Sequence, residues 1–278
     1  MATKKAVVVG INDYSPVGVG GPDLAGCVND ARDMANTLVI CGFSPANIRI
    51  LTNQNATKAN ILRYLKWLLV GCKAGDSLVF YYSGHGTQVA NFGPELEIDG
   101  VDEAIVPHDY PAAGYLKDDD FKALFDEHIK PKVNLEVIFD CCHSGTGTRD
   151  FNAFVTEAET ADLRVRMLPP SLEDEFYAVN RMLMDEPMAM RALVSVANTN
   201  HTLWAACKDA QLSYESNIGG LQRGHFTYCF CKVLRATSGI ITRKKLDAQV
   251  KTALLNFGQN QTNQVESRPA EFSQNIFQ

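Results

Sequence analysis

The sequence predicts an α/β fold in which a mostly parallel central sheet lies between two layers of helices. Short, mainly apolar segments read as strands: Val7–Val9, which reads as fully buried, then Ile48–Leu51, Leu78–Tyr82 and Val133–Phe139. Helix-length segments alternate with these runs, which is the pattern of a three-layer parallel sheet. Two of the strands run straight into unusual residue clusters, at the carboxyl ends where such sheets bind ligands.

Taken in order, Val7–Val9 ends at Gly10 and forms the first strand. Leu24 to Cys41 reads as a helix that starts near Asp23 and stops at Gly42. Ile48–Leu51 is the second strand, and Lys58 to Cys72 a second helix with Thr57 as its N-cap. Leu78–Tyr82 leads into Ser83-Gly84-His85-Gly86. Asp118–Lys130 is a helix whose acidic first turn suits the macrodipole. Val133–Phe139 leads into Asp140-Cys141-Cys142-His143-Ser144-Gly145. Residues 146–190 are rich in charge and Met, contain Pro169-Pro170 and read as a long loop with one or two helices. A buried strand at Ala192–Ala197 follows, then helices at Thr227–Arg235 and Lys244–Phe257. A short final strand is expected near Pro269–Phe272.

The 278 residues suffice for one large α/β domain or two small ones, with 46% hydrophobic and 21% charged residues. A net charge of −6 repels nucleic acid and anionic membranes, so neither is expected as a partner. The apolar run Ala6–Val9 is too short for a secretory signal, and no stretch reaches the length of a membrane span. Eight scattered cysteines, two of them adjacent, do not form a disulfide framework. A reducing, cytoplasmic compartment is the expected setting.

A thiolate nucleophile needs a base and a place for the oxyanion of its tetrahedral intermediate. His85 stands between two glycines, and Cys142 follows a buried strand directly. Each residue alone has an ordinary structural explanation: a small buried hydrophobe, or a histidine in a turn. Together, at strand ends, they suggest a nucleophile and its base, with the backbone N–H groups of Gly86 and Cys142 as oxyanion donors. His143 competes for the base role, but adjacent side chains diverge in an extended turn. Cys141 competes for the nucleophile role, but its side chain is expected on the other side. A zinc or redox centre at Cys141, Cys142 and His143 is poorly spaced, and there is no Cys-x-x-Cys. A phosphatase loop would require an arginine close to Cys142.

The motifs Tyr81-Tyr82-Ser83-Gly84-His85-Gly86 and Asp140-Cys141-Cys142-His143-Ser144-Gly145 resemble the metacaspase family of caspase-like cysteine peptidases. The resemblance runs well over residues 4–150. It continues more weakly at Trp204–Ser213 and Gly224-His225-Phe226-Thr227. His85 and Cys142 are 57 residues apart, near the spacing of about 50 known for caspases. The caspase signature Gln-Ala-Cys-Arg-Gly is absent, which argues against cleavage after aspartate.

The resemblance implies a caspase-like three-layer fold with a large region at 1–150, a connecting segment at 151–190 and a small region at 191–278. It implies a cysteine endopeptidase acting on polypeptides after Arg or Lys through a Cys142–His85 dyad. Cys27, Asp30, Ser83 and Asp140 would line the pocket for the basic side chain, because a desolvated guanidinium must be paired. It further implies a calcium site resembling Asp102, Asp118, Asp119 and Asp150. An EF-hand is rejected, because a loop starting at Glu95 has Val106 at its twelfth position. Without the resemblance, the aspartates Asp118–Asp120 read as a helix start. Self-processing in the connecting segment would use Arg149, Arg164, Arg166, Arg181 or Arg191. The resemblance also implies a monomeric catalytic unit with no long preceding segment. The alternative is a caspase-like scaffold that has lost catalysis, and the presence of the full motif set speaks against it.

Overall fold

The computed structural model describes residues 2–14, 22–90, 101–142, 163–169, 201–208 and 211–278. Its centre is a six-stranded sheet in the order β12-β9-β7-β3-β1-β2. The strands are β1 (Lys4–Gly10), β2 (Ile48–Thr52), β3 (Ser77–Ser83), β7 (Asn134–Asp140), β9 (His201–Ala205) and β12 (Gln264–Glu266). All neighbouring pairs are parallel except β12 against β9. Alternation along β1 feeds both faces. Val7 and Val9 point into one apolar core, Ala6 and Val8 into the other. The first core takes Ile61 and Leu65 from α2 (Lys58–Leu69) and Phe121 and Phe125 from α4 (Asp118–His128). The second takes Met34 and Leu38 from α1 (Cys27–Ile40), Phe226 and Phe230 from α5 (His225–Thr237), and Leu246 and Val250 from α6 (Arg243–Leu254).

Thr57 caps α2 as the sequence predicts, its side chain accepting the Asn60 N–H at 3.2 Å. Helix α1 starts three residues later than predicted. Asp23 accepts the Tyr14 N–H, so it is not a cap, and the Ala25 and Gly26 N–H groups donate to Glu215 instead. The first turn of α1 is met by Asn12 Oδ1, which accepts the Val28 N–H at 3.1 Å. The strand expected at Ala192–Ala197 lies outside the described residues. The strand expected at Pro269–Phe272 is a 3-10 helix over Pro269–Ser273, because Pro269 has no N–H for a ladder and suits a helical first turn. The edge strand β12 lies just before it.

Two small antiparallel sheets were not foreseen. One joins β4 (Gly86–Ala90), β5 (Val101–Ile105) and β6 (Leu116–Lys117), with the short helix α3 (Tyr110–Ala113) between β5 and β6. The other joins β8 (Arg164–Val165), β10 (Tyr214–Ile218) and β11 (Leu221–Gly224). Gly219 and Gly220, at φ +64° and +87°, make the tight turn of the β10–β11 hairpin.

Candidate active site

Ser83 and Asp140 end adjacent parallel strands and are direct register partners. His85 and Cys142 each follow two residues later, so strand pairing brings them to one end of the sheet. Cys141 turns into the core beneath the sheet, whereas Cys142 joins a separate apolar cluster at the cleft. His143 lies outside the described residues.

The His85 backbone is fixed on both sides. Its N–H donates to Tyr14 Oη at 2.7 Å, and its carbonyl accepts from Tyr82 Oη at 2.7 Å and from the Val106 N–H at 3.1 Å. Gly84 is required here, because a Cβ would collide with both tyrosine hydroxyls. The His85 ring is buried, with Nε2 2.5 Å from the Pro22 carbonyl. A carbonyl can only accept, so Nε2 carries the proton and Nδ1 keeps a lone pair. Among the described residues, the buried Nδ1 has no hydrogen-bond partner. Burial, opposed by the bond to Pro22, lowers the His85 pKa to about 4, so the ring is neutral at pH 7. The Cys142 sulfur accepts the Ser213 N–H at 2.6 Å. Cys207 sits beside it. Its bond to Cys142, then burial, push the Cys207 thiol well above the ordinary value.

Residues 163–169 lie along this cleft. Arg166 is held at both its backbone and its side chain. The Gly86 and Cys142 N–H groups converge on its carbonyl oxygen at 3.2 and 3.1 Å. Its own N–H donates to the Ser213 carbonyl at 3.0 Å, and beyond it the Leu168 N–H donates to the Gly86 carbonyl at 2.9 Å. The guanidinium fills a closed anionic pocket. Nη1 lies 2.8 Å from Ser83 Oγ and 2.9 Å from Asp140 Oδ2. Nη2 lies 2.5 Å from Asp30 Oδ2 and 3.0 Å from Glu215 Oε2. The Cys27 thiol is directed at Glu215 Oε2 from 3.8 Å. Of the four residues expected to line one pocket, Asp30, Ser83 and Asp140 meet the guanidinium directly, and Cys27 reaches it through Glu215.

Each carboxylate is held by a second set of donors. Asp30 accepts the Gly224 N–H, Asp140 accepts from Thr227 and from Ser213 Oγ, and Glu215 accepts from Ala25 and Gly26. Gly224 has no room for a Cβ, which would strike Asp140 and the Arg166 guanidinium. Burial works against the Arg166 charge, but Asp140, Cys27, Asp30 and Glu215 outweigh it and push its pKa up further. Burial pushes the Asp30 carboxyl up against the pull of Arg166. Glu215 was missed from sequence, where it is one acidic residue in a polar stretch. The Gly219-Gly220 turn was the signal that could have placed it on a hairpin.

The expected calcium ligands are only partly brought together. Asp102 stands on β5, and Asp118 and Asp119 open α4. The β5–β6 ladder joins these segments through Ala104 and Lys117. Asp102 Oδ2 pairs with Lys117 Nζ at 2.9 Å. Among the described residues no group of three or more His, Cys, Asp or Glu is poised for a metal, and Asp150 lies outside them.

A histidine and a cysteine thus follow the ends of adjacent parallel strands, beside an anionic pocket, in an α/β fold. The family model for the metacaspase peptidase C14 domain matches residues 4–149, just over half of the chain. The chain belongs to the metacaspase family. It is 31% identical over 265 residues to Metacaspase-1A of Aspergillus oryzae, covering 84% of this chain and 60% of that protein. It is 41% identical over 150 residues to Metacaspase-1 of Arabidopsis thaliana, covering 51% and 40%. The chain thus spans about 60% of the length of the Aspergillus relatives it matches. A solved protein from Geobacter sulfurreducens shares the fold, with a TM-score of 0.71 at 24% identity, covering 99% of this chain and 98% of that one. No helix among the described residues is long and apolar enough to cross a membrane.

Proposed function

We propose that the protein is a cysteine endopeptidase that cleaves polypeptides after arginine, and less well after lysine, with Cys142 as nucleophile and His85 as base. The observation that carries this reading is Arg166, held as a substrate residue would be. Its carbonyl sits between two N–H donors at the nucleophile, and its guanidinium sits in the acidic pocket. Two guanidinium nitrogens each meet a carboxylate, a fork that a single lysine ammonium cannot reproduce.

His85 Nδ1 takes the Cys142 thiol proton once the sulfur leaves Ser213, and the sulfur attacks the carbonyl carbon. The Gly86 and Cys142 N–H groups hold the oxyanion. The peptide C–N bond then breaks, and His85 returns its proton to the departing amine. Water hydrolyses the resulting thioester. Because Arg166 is one of the connecting-segment arginines, we assign self-processing to the Arg166–Met167 bond.

Calcium is the proposed regulatory cation, held by Asp102, Asp118, Asp119 and Asp150. Their hard oxygens suit it, and Asp102 already binds a cation, Lys117 Nζ. When bound, calcium would supply positive charge to these carboxylates. Eight free cysteines support a reducing compartment. The short, polar edge strand β12, followed by Pro269, supports a monomer.

The test is hydrolysis of two reporter peptides, one ending in Arg and one in Asp, with and without calcium. Cleavage after Arg that Cys142→Ala and His85→Ala both abolish is expected. Silence from the folded protein towards both peptides would point to a non-enzymatic scaffold.

A further inference from the structure

Arg166 accounts for one contact of the segment in the cleft, but its neighbours are seated as well. In β8, Val165 lies directly opposite Tyr214 and Arg164 opposite Glu215. Strand alternation sends Leu163, Val165 and Met167 to one face and Arg164 and Arg166 to the other. Val165 is 3% exposed. It belongs to an apolar cluster with Cys142, Met167, Cys207 and Tyr214, against which Leu163 and Leu212 pack. Arg164 instead runs along the exposed edge to the Asp23 carbonyl at 3.2 Å.

We infer that the cleft contains a second, apolar subsite, lined by Tyr214, Cys207 and Leu212, that selects a compact aliphatic side chain immediately before the arginine. This rests on the peptidase reading above and adds the substrate class. Every member of the wall is uncharged, with Cys207 held as a protonated thiol. A carboxylate or ammonium placed where Val165 sits would be buried unpaired, which is far costlier than burying a methyl group. The position two before the arginine faces the edge and tolerates polar side chains. The chain's own Leu-Arg-Val-Arg sequence is thus a template for the substrates it favours.

The experiment compares two reporters on the full chain, Leu-Arg-Val-Arg and Leu-Arg-Asp-Arg, each releasing a fluorophore after the last arginine. It is run with calcium on the wild type and on Arg166→Gln, which removes the resident guanidinium. The valine reporter is expected to have the higher kcat/KM by about tenfold or more, as the burial of one aliphatic side chain requires. Tyr214→Ser should bring that ratio near one while the preference for Arg over Asp at the cleaved position persists. Leu212→Ser, at a half-buried position, serves the same purpose should the tyrosine variant fold poorly. Equal cleavage of both reporters by wild type and Arg166→Gln would overturn the subsite and leave the peptidase reading intact. Cleavage of neither would overturn both.

Discussion

Asp30 Oδ2 and Arg166 Nη2 lie 2.5 Å apart, joined across 136 positions of the chain, with side chains 1% and 0% exposed. Removing one partner of so buried a pair strands the other, at a cost of about 3–5 kcal/mol when no water can enter. Release of the guanidinium therefore requires the pocket to open or another cationic side chain to replace it.

Incubated with calcium, the wild-type chain is expected to split into two fragments, with the downstream one beginning Met167-Leu168-Pro169. Arg166→Gln and Cys142→Ala should both remain intact. Terminal sequencing and intact mass decide the matter, and a fragment beginning elsewhere would disprove the assigned bond.

Glu215 is predicted to matter as much as the pocket residues found by motif. Its carboxylate holds the Ala25 and Gly26 N–H groups and Nη2 of Arg166. Glu215→Gln removes a charge-assisted bond of about 1.5–3 kcal/mol, so kcat/KM for arginine peptides should fall by roughly 10–100-fold. Gly224→Ala should have a similar effect by filling the pocket with a methyl group. Unchanged kinetics in either variant would mean that substrates enter a differently shaped pocket.

Lys117 is predicted to compete with calcium for Asp102. Lys117→Met removes the internal cation, so half-maximal activation should occur at a severalfold lower calcium concentration. Asp102→Asn should abolish the response. Calorimetric titration of calcium into the Cys142→Ala chain, which cannot cut itself, measures this directly. Equal affinity with and without the lysine would place the ion elsewhere.

Stability should fall with acid over a defined range. Burial lowers His85, His201 and His225 each to about 4 from 6.5. Below about pH 6.5 the unfolded chain binds protons that the folded chain refuses, so stability is complete above that value and is lost as pH falls towards 4. Each histidine contributes up to roughly 3 kcal/mol across that range. Asp30, whose raised pKa has the opposite sign, offsets part of this. Urea midpoints at pH 4.5 should lie clearly below those at pH 7. A flat profile would mean that the histidines are hydrated.

The sheet's centre was legible in the sequence for a simple reason. β1, β3 and β7 are covered on both faces, so each carries an unbroken apolar stretch: Ala6–Val9, Leu78–Tyr82 and Val137–Phe139. His85 and Cys142 followed from their places after two such runs. The pieces that escaped detection owe their structure to partners far along the chain. β4 and β10 are short and polar, and pair only within small sheets. Glu215 becomes part of the pocket only when the hairpin folds onto the start of α1. Pro22 contributes a backbone carbonyl, which no residue type reveals.

Glu136 on β7 joins Trp204 Nε1 at 2.7 Å on β9 and Arg243 Nε at 2.9 Å on α6, while β9 lies along β7 over five residues. β9 and α6, both downstream of the connecting segment, are thus riveted to the middle of the sheet. Hydrolysis after Arg166 would therefore yield a stable heterodimer of two polypeptides, unchanged in size on a native column and separable only by denaturant. Cutting the chain at that bond would change its covalent connectivity without dividing the particle.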